Sequence, residues 1–114
     1  MLLFSIHSFS QENNRKKIIG TWAFYKIEFL RSNRDSANLI KNAKATIVTF
    51  SEDSLTVRIK FDTMFIRTSR YTISPDGRTL THNGMTATIA RLTDEELVLN
   101  IQGEGVIEHL KKVH

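Results

Sequence analysis

The sequence predicts an all-β domain, an eight-stranded antiparallel up-and-down barrel with a short N-terminal helix. About eight short segments rich in β-branched and aromatic residues follow one another, and tight turns separate them. The segment Leu55–Phe61 alternates apolar and polar side chains, as a strand with one buried face does. Every connection after Lys44 is too short for the crossover that parallel strands need, so neighbouring strands are expected to be antiparallel.

The composition corresponds to one globular domain of 114 residues, of which 40% are hydrophobic and 25% are charged. Cysteine is absent, which excludes disulfides, thiolate catalysis and cysteine-ligated zinc. The 16 basic and 12 acidic residues give a net charge of +4, and the basic residues are scattered along the chain. Nucleic acid is therefore an unfavoured partner, and no apolar run reaches the roughly 18 residues of a transmembrane helix.

Residues 1–10 are apolar and uncharged, and the polar stretch of residues 11–17 follows them. Ser8 and Ser10 form the small-x-small pattern of a signal-peptidase site, although the segment lacks a basic start and is shorter than a complete signal peptide. We interpret residues 1–10 as a signal-peptide remnant, with an N-terminal arm as the alternative, and residues 11–114 as the barrel domain. The first interpretation predicts a secreted or periplasmic protein, and the alternative location is the cytoplasm.

A short helix is predicted before the first strand. Ser10 is a suitable N-cap, and Gly20 is placed to end a helix that runs from Ser10 or Gln11 to Ile19. From Thr21 onward the apolar period changes to two, which is the period of a strand. The predicted strands are Trp22–Leu30, Lys44–Phe50, Leu55–Phe61, Met64–Ser74, Arg78–His82, Met85–Leu92, Leu97–Gln102 and Val106–Val113.

Two of the turns between these strands have a well-defined chemistry. In Pro75-Asp76-Gly77 the proline presets φ at the first central position, and the glycine tolerates the positive φ that follows. Asn83-Gly84 is the strongest short hairpin pattern, because both residues tolerate the left-handed conformation of a type I′ turn.

The segment Arg31–Ala43 is the one long connection. Asp35 or Ser36 is placed to cap a helical turn that carries Leu39 and Ile40. Two alternatives stay open for this segment: it folds over one mouth of the barrel, or it is a surface loop.

Four motifs carry a resemblance to a known family. They are the Ile-Gly-Thr-Trp of Ile19–Trp22, the hairpin Pro75–Gly77, the Leu-Thr-Asp-Glu-Glu-Leu-Val-Leu of Leu92–Leu99, and the ending Gly105–Val113. In this order, over about Ile18 to Val113, the chain resembles the lipocalin and fatty-acid-binding (calycin) superfamily, and most closely its small bacterial lipocalin-like proteins.

The resemblance implies a barrel closed at one end by Trp22, with Gly20 beside it and a cation from Lys111 or Lys112 stacked on the indole. These are structural roles. The chain is shorter than the large secreted lipocalins, and it lacks their disulfides and the Thr-Asp-Tyr motif of their later strands. The shortness leaves two alternatives, an open cavity or a barrel filled by its own side chains.

The sequence contains no recognisable catalytic or metal-binding pattern. The histidines His7, His82, His109 and His114 do not pair at the spacing of metal ligands. The acidic run Asp94–Glu96 lies in a predicted turn, where a solvated surface is the expected environment. No nucleophile elbow, P-loop or dinucleotide fingerprint occurs. We therefore predict no enzyme, no metal and no cofactor.

The apolar face of the barrel is the predicted binding site. A strict alternation in the first strand would place Tyr25 on the same face as Ile27 and Phe29, and Trp22 on the other. Tyr25 or Tyr71 would then orient a ligand carboxylate or hydroxyl. The candidate ligand-binding residues are Tyr25, Ile27, Phe29, Val57, Ile59, Tyr71 and Ile73. The alternative for each of them is ordinary core packing.

Together these features predict a monomeric, non-catalytic protein that binds a small apolar or amphipathic molecule in its barrel. The alternative is a filled barrel whose surface, for example Arg31–Ala43, binds a protein partner. The volume of the cavity distinguishes the two. A nucleic-acid-binding barrel is a third hypothesis, and a steep loss of affinity with added salt would identify it.

Overall fold

The structure, a computed structural model, describes residues 13–30, 36–60 and 62–114. Eight antiparallel strands form a closed barrel in chain order, because each strand pairs with the next and the last pairs with the first. The strands are β1 (Gly20–Phe29), β2 (Thr46–Phe50), β3 (Ser54–Ile59), β4 (Asp62–Ile73), β5 (Thr79–His82), β6 (Met85–Leu92), β7 (Glu96–Ile101) and β8 (Val106–Val113). The predicted fold class is confirmed, and the strand ends differ from the predicted ones by at most two residues.

Two helices accompany the barrel within the described ranges. The first, α1, covers residues 13–18 and corresponds to the predicted N-terminal helix, whose proposed cap Ser10 lies outside the described residues. The second, α2 (Ser36–Lys44), packs against β1. Lys44 is the last residue of α2 and not, as predicted, the first residue of a strand. Lys41 and Lys44 place positive charge in the last turn of α2, where it opposes the negative end of the helix dipole.

The two predicted turns have the expected backbone conformations. Asn83 and Gly84 have φ angles of 48° and 76°, and both lie in the left-handed region that a type I′ hairpin requires. Gly77 has a φ of 75°. The Asp76 carboxylate accepts a hydrogen bond from the Arg78 backbone amide at 3.0 Å, which fixes the turn between β4 and β5. These local signals set the order and spacing of the middle strands.

A β-bulge divides β1 into two halves. Trp22 and Phe24 pair with Lys112 and Leu110 of β8, and the register then shifts between Phe24 and Lys26. The extra residue at the bulge is Tyr25, so the inward side of the strand changes from even to odd positions. The single alternation predicted for this strand is therefore wrong. The residues of β1 that face the barrel interior are Trp22, Phe24, Ile27 and Phe29.

One continuous apolar core fills much of the barrel. Its largest fully buried side chains are Trp22, Ile18, Leu80, Leu97 and Leu110. Trp22 pairs with Lys112 near one end of the barrel, and Phe29 pairs with Val106 near the other. Within the described part of the chain, no helix combines the length and the apolar character that crossing a membrane requires.

Candidate functional site

The end of the barrel next to α1 is closed by Trp22. The indole is fully buried, and its Nε1 donates a hydrogen bond to the Ile18 carbonyl at 2.8 Å. The ammonium of Lys112 lies 4.7 Å from the indole ring centroid and donates a hydrogen bond to the Ile19 carbonyl at 2.6 Å. Asn14 of α1 donates a further hydrogen bond to the Gly77 carbonyl at 2.6 Å. The cation on the indole is thus Lys112, which also ties the strand β8 to the end of α1.

Gly20 permits this closure because of its conformation and its lack of a side chain. Its φ is 136°, a value that residues with a Cβ rarely adopt. A Cβ at this position would lie 2.6 Å from the Lys112 Nζ. The chain therefore turns from α1 into β1 at a residue where only glycine leaves room for the lysine.

We expect Gly20→Ala to lower the free energy of unfolding by about 1–3 kcal/mol, because alanine is strained at this φ and displaces the Lys112 ammonium. Urea denaturation followed by circular dichroism measures the change. Gly103→Ala is the matched control: Gly103 has open space around it, so we expect a change within about 0.5 kcal/mol. Equal effects of the two substitutions would contradict a special role for Gly20.

A cavity of about 180 Å³ lies inside the barrel. Its wall is mostly apolar, and its described lining residues come from seven strands, β1, β2, β3, β5, β6, β7 and β8, and from the turn before β8. The described lining residues are Phe24, Thr46, Val48, Phe50, Leu55, Val57, Leu80, His82, Met85, Ala87, Leu99, Ile101, Glu104, Glu108 and Leu110. The barrel is therefore not completely filled by its own described side chains.

A second pocket of about 260 Å³ adjoins the first on the side of α2. The two pockets share the lining residues Phe24, Thr46, Glu104 and Glu108. The second is completed by Ile27, Phe29, Val106 and two residues of α2, Asn42 and Ala43. The end of the long connection thus packs against β1 and lines this pocket, whereas residues 31–35 lie outside the described residues. The proposed cap Asp35 lies outside the described residues.

Glu108 is the main polar group of the cavity. It pairs across the sheet with Ile27 of β1 and Leu99 of β7, which face the interior. Burial, and to a lesser extent the nearby Glu104 carboxylate, together raise the pKa of the Glu108 carboxyl to about 7. No hydrogen bond joins the Glu108 carboxyl to another residue in the described part of the chain. The cavity wall thus contains a carboxyl whose pKa is raised from its ordinary value towards neutral pH.

His82 is the second polar group in the wall. Burial lowers the pKa of its imidazole, so the ring is neutral at pH 7, although Glu104 acts in the opposite direction. Its Nδ1 atom is buried and has no hydrogen-bond partner among the described residues. A buried nitrogen of this kind normally has a partner. Among the described residues, no three His, Asp or Glu side chains converge as a metal site.

The predicted site residues are distributed over several environments. Val57 lines the cavity, and Ile27 and Phe29 line the adjoining pocket. Ile59 pairs with the lining residue Thr46 but is not itself among the described lining residues. Tyr71 and Ile73 are buried in the core and do not line either pocket.

The hydroxyls of Tyr25 and Tyr71, the predicted ligand-orienting groups, both form hydrogen bonds within the protein. The Tyr71 hydroxyl donates a hydrogen bond to the Ser51 carbonyl, and its ring packs edge-on against Phe50. The Tyr25 hydroxyl donates a hydrogen bond of 2.7 Å to the Glu96 carboxylate, which raises the pKa of Tyr25. The Lys111 ammonium lies 4.6 Å from the Tyr25 ring centroid. Tyr25 belongs to the outer face of the barrel because of the bulge.

Sequence reasoning missed the polar groups of the cavity. A signal was available for Glu108, because the alternation of β8 places it on the same face as Val106 and Leu110, both of which are buried. His82 similarly follows the buried Leu80 at a spacing of two. Glu104 lies in the turn between β7 and β8, where no alternation exists.

Solved structures from Bacteroides share this architecture. A lipocalin-like protein from Bacteroides uniformis matches with a TM-score of 0.59 at 13% sequence identity, over 85% of this chain and 99% of that one. The chain has a lipocalin-like fold. An uncharacterized protein from Bacteroides eggerthii gives a TM-score of 0.61 at 12% identity, over 84% of this chain and 99% of that one. A Bacteroides uniformis protein solved by NMR gives 0.60 at 16% identity, over 88% and 92%.

Neither a protein-family model nor a curated protein sequence matches this chain. At the identities of the structural matches, the lipocalin-like fold is shared but no ligand and no residue role is carried over.

Proposed function

We propose that the protein binds a small amphipathic molecule in its barrel without transforming it. The observation that supports this most directly is the cavity itself: its wall is largely apolar, and it includes a few polar groups at Thr46, His82, Glu104 and Glu108. Ligand pockets commonly combine these two features, because apolar burial supplies affinity and a small number of polar groups supplies orientation.

The size of the cavity restricts the ligand. An apolar cavity of about 150 Å³ accommodates one benzene ring, and the cavity here measures about 180 Å³. A ligand would place a single ring or a short branched chain among Val57, Leu55 and Leu99. A longer molecule would extend past Glu108 into the adjoining pocket beside α2. Burial of its apolar surface contributes about 25 cal/mol per Å² before the costs of ordering are subtracted.

A secreted or periplasmic location is part of the proposal, and it is supported by the composition of residues 1–10. The test is expression of the complete gene, with any codons that precede Met1, in its natural host, followed by fractionation and mass spectrometry. A mature chain that begins after Ser10 in the periplasm or medium supports the proposal. An intact chain in the cytoplasm contradicts it.

We expect phenethyl alcohol, a neutral one-ring amphiphile, to bind saturably and to shift the backbone amide NMR signals of residues around the cavity. Ala87→Leu extends a side chain into the cavity and should weaken this binding at least about tenfold. Ala90→Leu is the matched control, because Ala90 is exposed on the same strand. Saturable binding that the two variants change equally, or no binding by the folded protein, would contradict a ligand site inside the barrel.

A further inference from the structure

We propose that the cavity prefers ligands whose polar head group is a cation, such as a primary amine, and disfavours the corresponding carboxylates. This inference rests on the proposed function and specifies the chemical class of its ligand. It is carried by the position of two acidic side chains, Glu104 and Glu108, at the junction where the cavity and its adjoining pocket share their walls.

The charge of the cavity wall has one sign. The described residues that line the two pockets include two glutamates and no lysine or arginine. The Lys112 ammonium lies at the closed end of the barrel. There it contacts the indole of Trp22 and donates a hydrogen bond to the Ile19 carbonyl, so it already has partners within the protein. A ligand head group at the junction would therefore meet negative charge without a compensating protein cation in the described wall.

The residues that face Glu108 leave its charge uncompensated. From β1 and β7 it meets the apolar side chains Phe24, Ile27 and Leu99, and from α2 the pocket receives Asn42 and Ala43. The titratable groups in the same wall are His82 of β5 and Glu104 of the turn between β7 and β8. His82 is held neutral by burial, and Glu104 repels the Glu108 carboxylate. Neither group supplies the positive charge that an ionised Glu108 requires.

A bound ammonium group would satisfy this arrangement. It would donate a charge-assisted hydrogen bond to Glu108, which has no hydrogen-bond partner among the described residues. The ammonium group would also lower the raised pKa of the Glu108 carboxyl, because a nearby cation favours the ionised form. A ligand carboxylate would instead place a further negative charge beside the two glutamates, and the like charges would repel one another.

The test uses three ligands with one ring and different head groups: phenethylamine, phenethyl alcohol and phenylacetate. Their affinities are measured by calorimetry at about pH 8, where Glu108 is mostly ionised. We expect the amine to bind about tenfold more tightly than the alcohol, since a charge-assisted hydrogen bond replaces a neutral one, and phenylacetate to bind most weakly. The amine-to-alcohol preference should also decrease at about pH 6, where Glu108 is mostly protonated.

Glu108→Gln keeps the shape of the side chain and removes its charge, so we expect the amine-to-alcohol preference to fall several-fold, with Glu104 accounting for what remains. Glu52→Gln, in the exposed turn between β2 and β3, should leave the preference unchanged. Equal binding of the three ligands, or tighter binding of phenylacetate, would overturn the head-group preference while the proposed function stands. Failure of all three ligands to bind the folded protein would overturn both.

Discussion

Trp22→Ala should lower the free energy of unfolding by about 3–5 kcal/mol, the range for replacing a fully buried large aromatic side chain. Three contributions add in the same direction. The substitution leaves a cavity at the closed end of the barrel, deprives the Ile18 carbonyl of the indole N–H, and removes the ring beneath the Lys112 ammonium. Because Ile18 belongs to α1, the loss should also release the helix from the barrel end.

The measurement is urea denaturation followed by far-ultraviolet circular dichroism, because Trp22 is the single tryptophan and its removal eliminates the fluorescence signal. Trp22→Phe keeps an aromatic ring and loses the hydrogen bond, so we expect an intermediate loss of about 1–2 kcal/mol. This variant keeps the test informative if the alanine variant does not fold. A loss below about 1 kcal/mol for Trp22→Ala would show that the indole does not close the barrel.

Raising the pH from about 4.5 to about 8 should remove about 3 kcal/mol of stability through Glu108 alone, the free-energy equivalent of its pKa shift. The carboxyl titrates near 4.5 when it is solvated and at about 7 in the folded protein. Between these values the folded state binds a proton that the unfolded state has released. The stabilising contribution is therefore complete below the lower value and is lost as the pH rises through the higher one.

Glu108→Gln removes this titration, so the difference in unfolding free energy between the variant and the wild type should change by about 3 kcal/mol across the same pH range. The variant should be the more stable protein at about pH 8, because a neutral amide replaces a partly buried, poorly solvated charge. Glu52→Gln provides the control, since Glu52 is exposed. A pH-independent difference between Glu108→Gln and the wild type would refute the conclusion that this carboxyl lies where a charge is disfavoured.

Ligand binding and the pH dependence of stability are linked through the ionisation of Glu108. If an amine binds the ionised form of Glu108 as proposed, a saturating amine should stabilise the folded state most at high pH. The pH-dependent loss of stability should therefore shrink when phenethylamine is present and persist when phenethyl alcohol is present. Stability measurements with and without phenethylamine therefore test both the charge environment of Glu108 and the proposed ligand preference.

Local sequence patterns predicted most of the architecture. The turns at Gly77 and Asn83-Gly84 depend on backbone conformations that few residues adopt, so the residue types alone predict where these turns lie. The strands β6 and β8 coincide with their predicted bounds, because alternation and turn residues delimit them on both sides. The resemblance to small lipocalin-like proteins agrees with the lipocalin-like fold that the solved structures share.

The candidate site was predicted less completely. Val57, Ile27 and Phe29 line the two pockets, but Tyr25 faces outward and the Tyr71 hydroxyl is occupied by the Ser51 carbonyl. The error at Tyr25 has one physical cause, the bulge in β1. A bulge inserts one residue into a strand without changing its composition, so an alternation pattern does not reveal where the inward face changes.

By itself the sequence determined the number of strands, their antiparallel order and the glycine-dependent turns, because these follow from local conformational preference and alternation. Only the tertiary structure decided which side of β1 faces inward and which acids line the cavity. Those features depend on the pairing of β1 with β8, where the contact between Glu28 and His109 joins residues 81 positions apart. The environment of Glu108 likewise arises from neighbours on strands that are distant in the sequence, and desolvation among them is what raises its pKa.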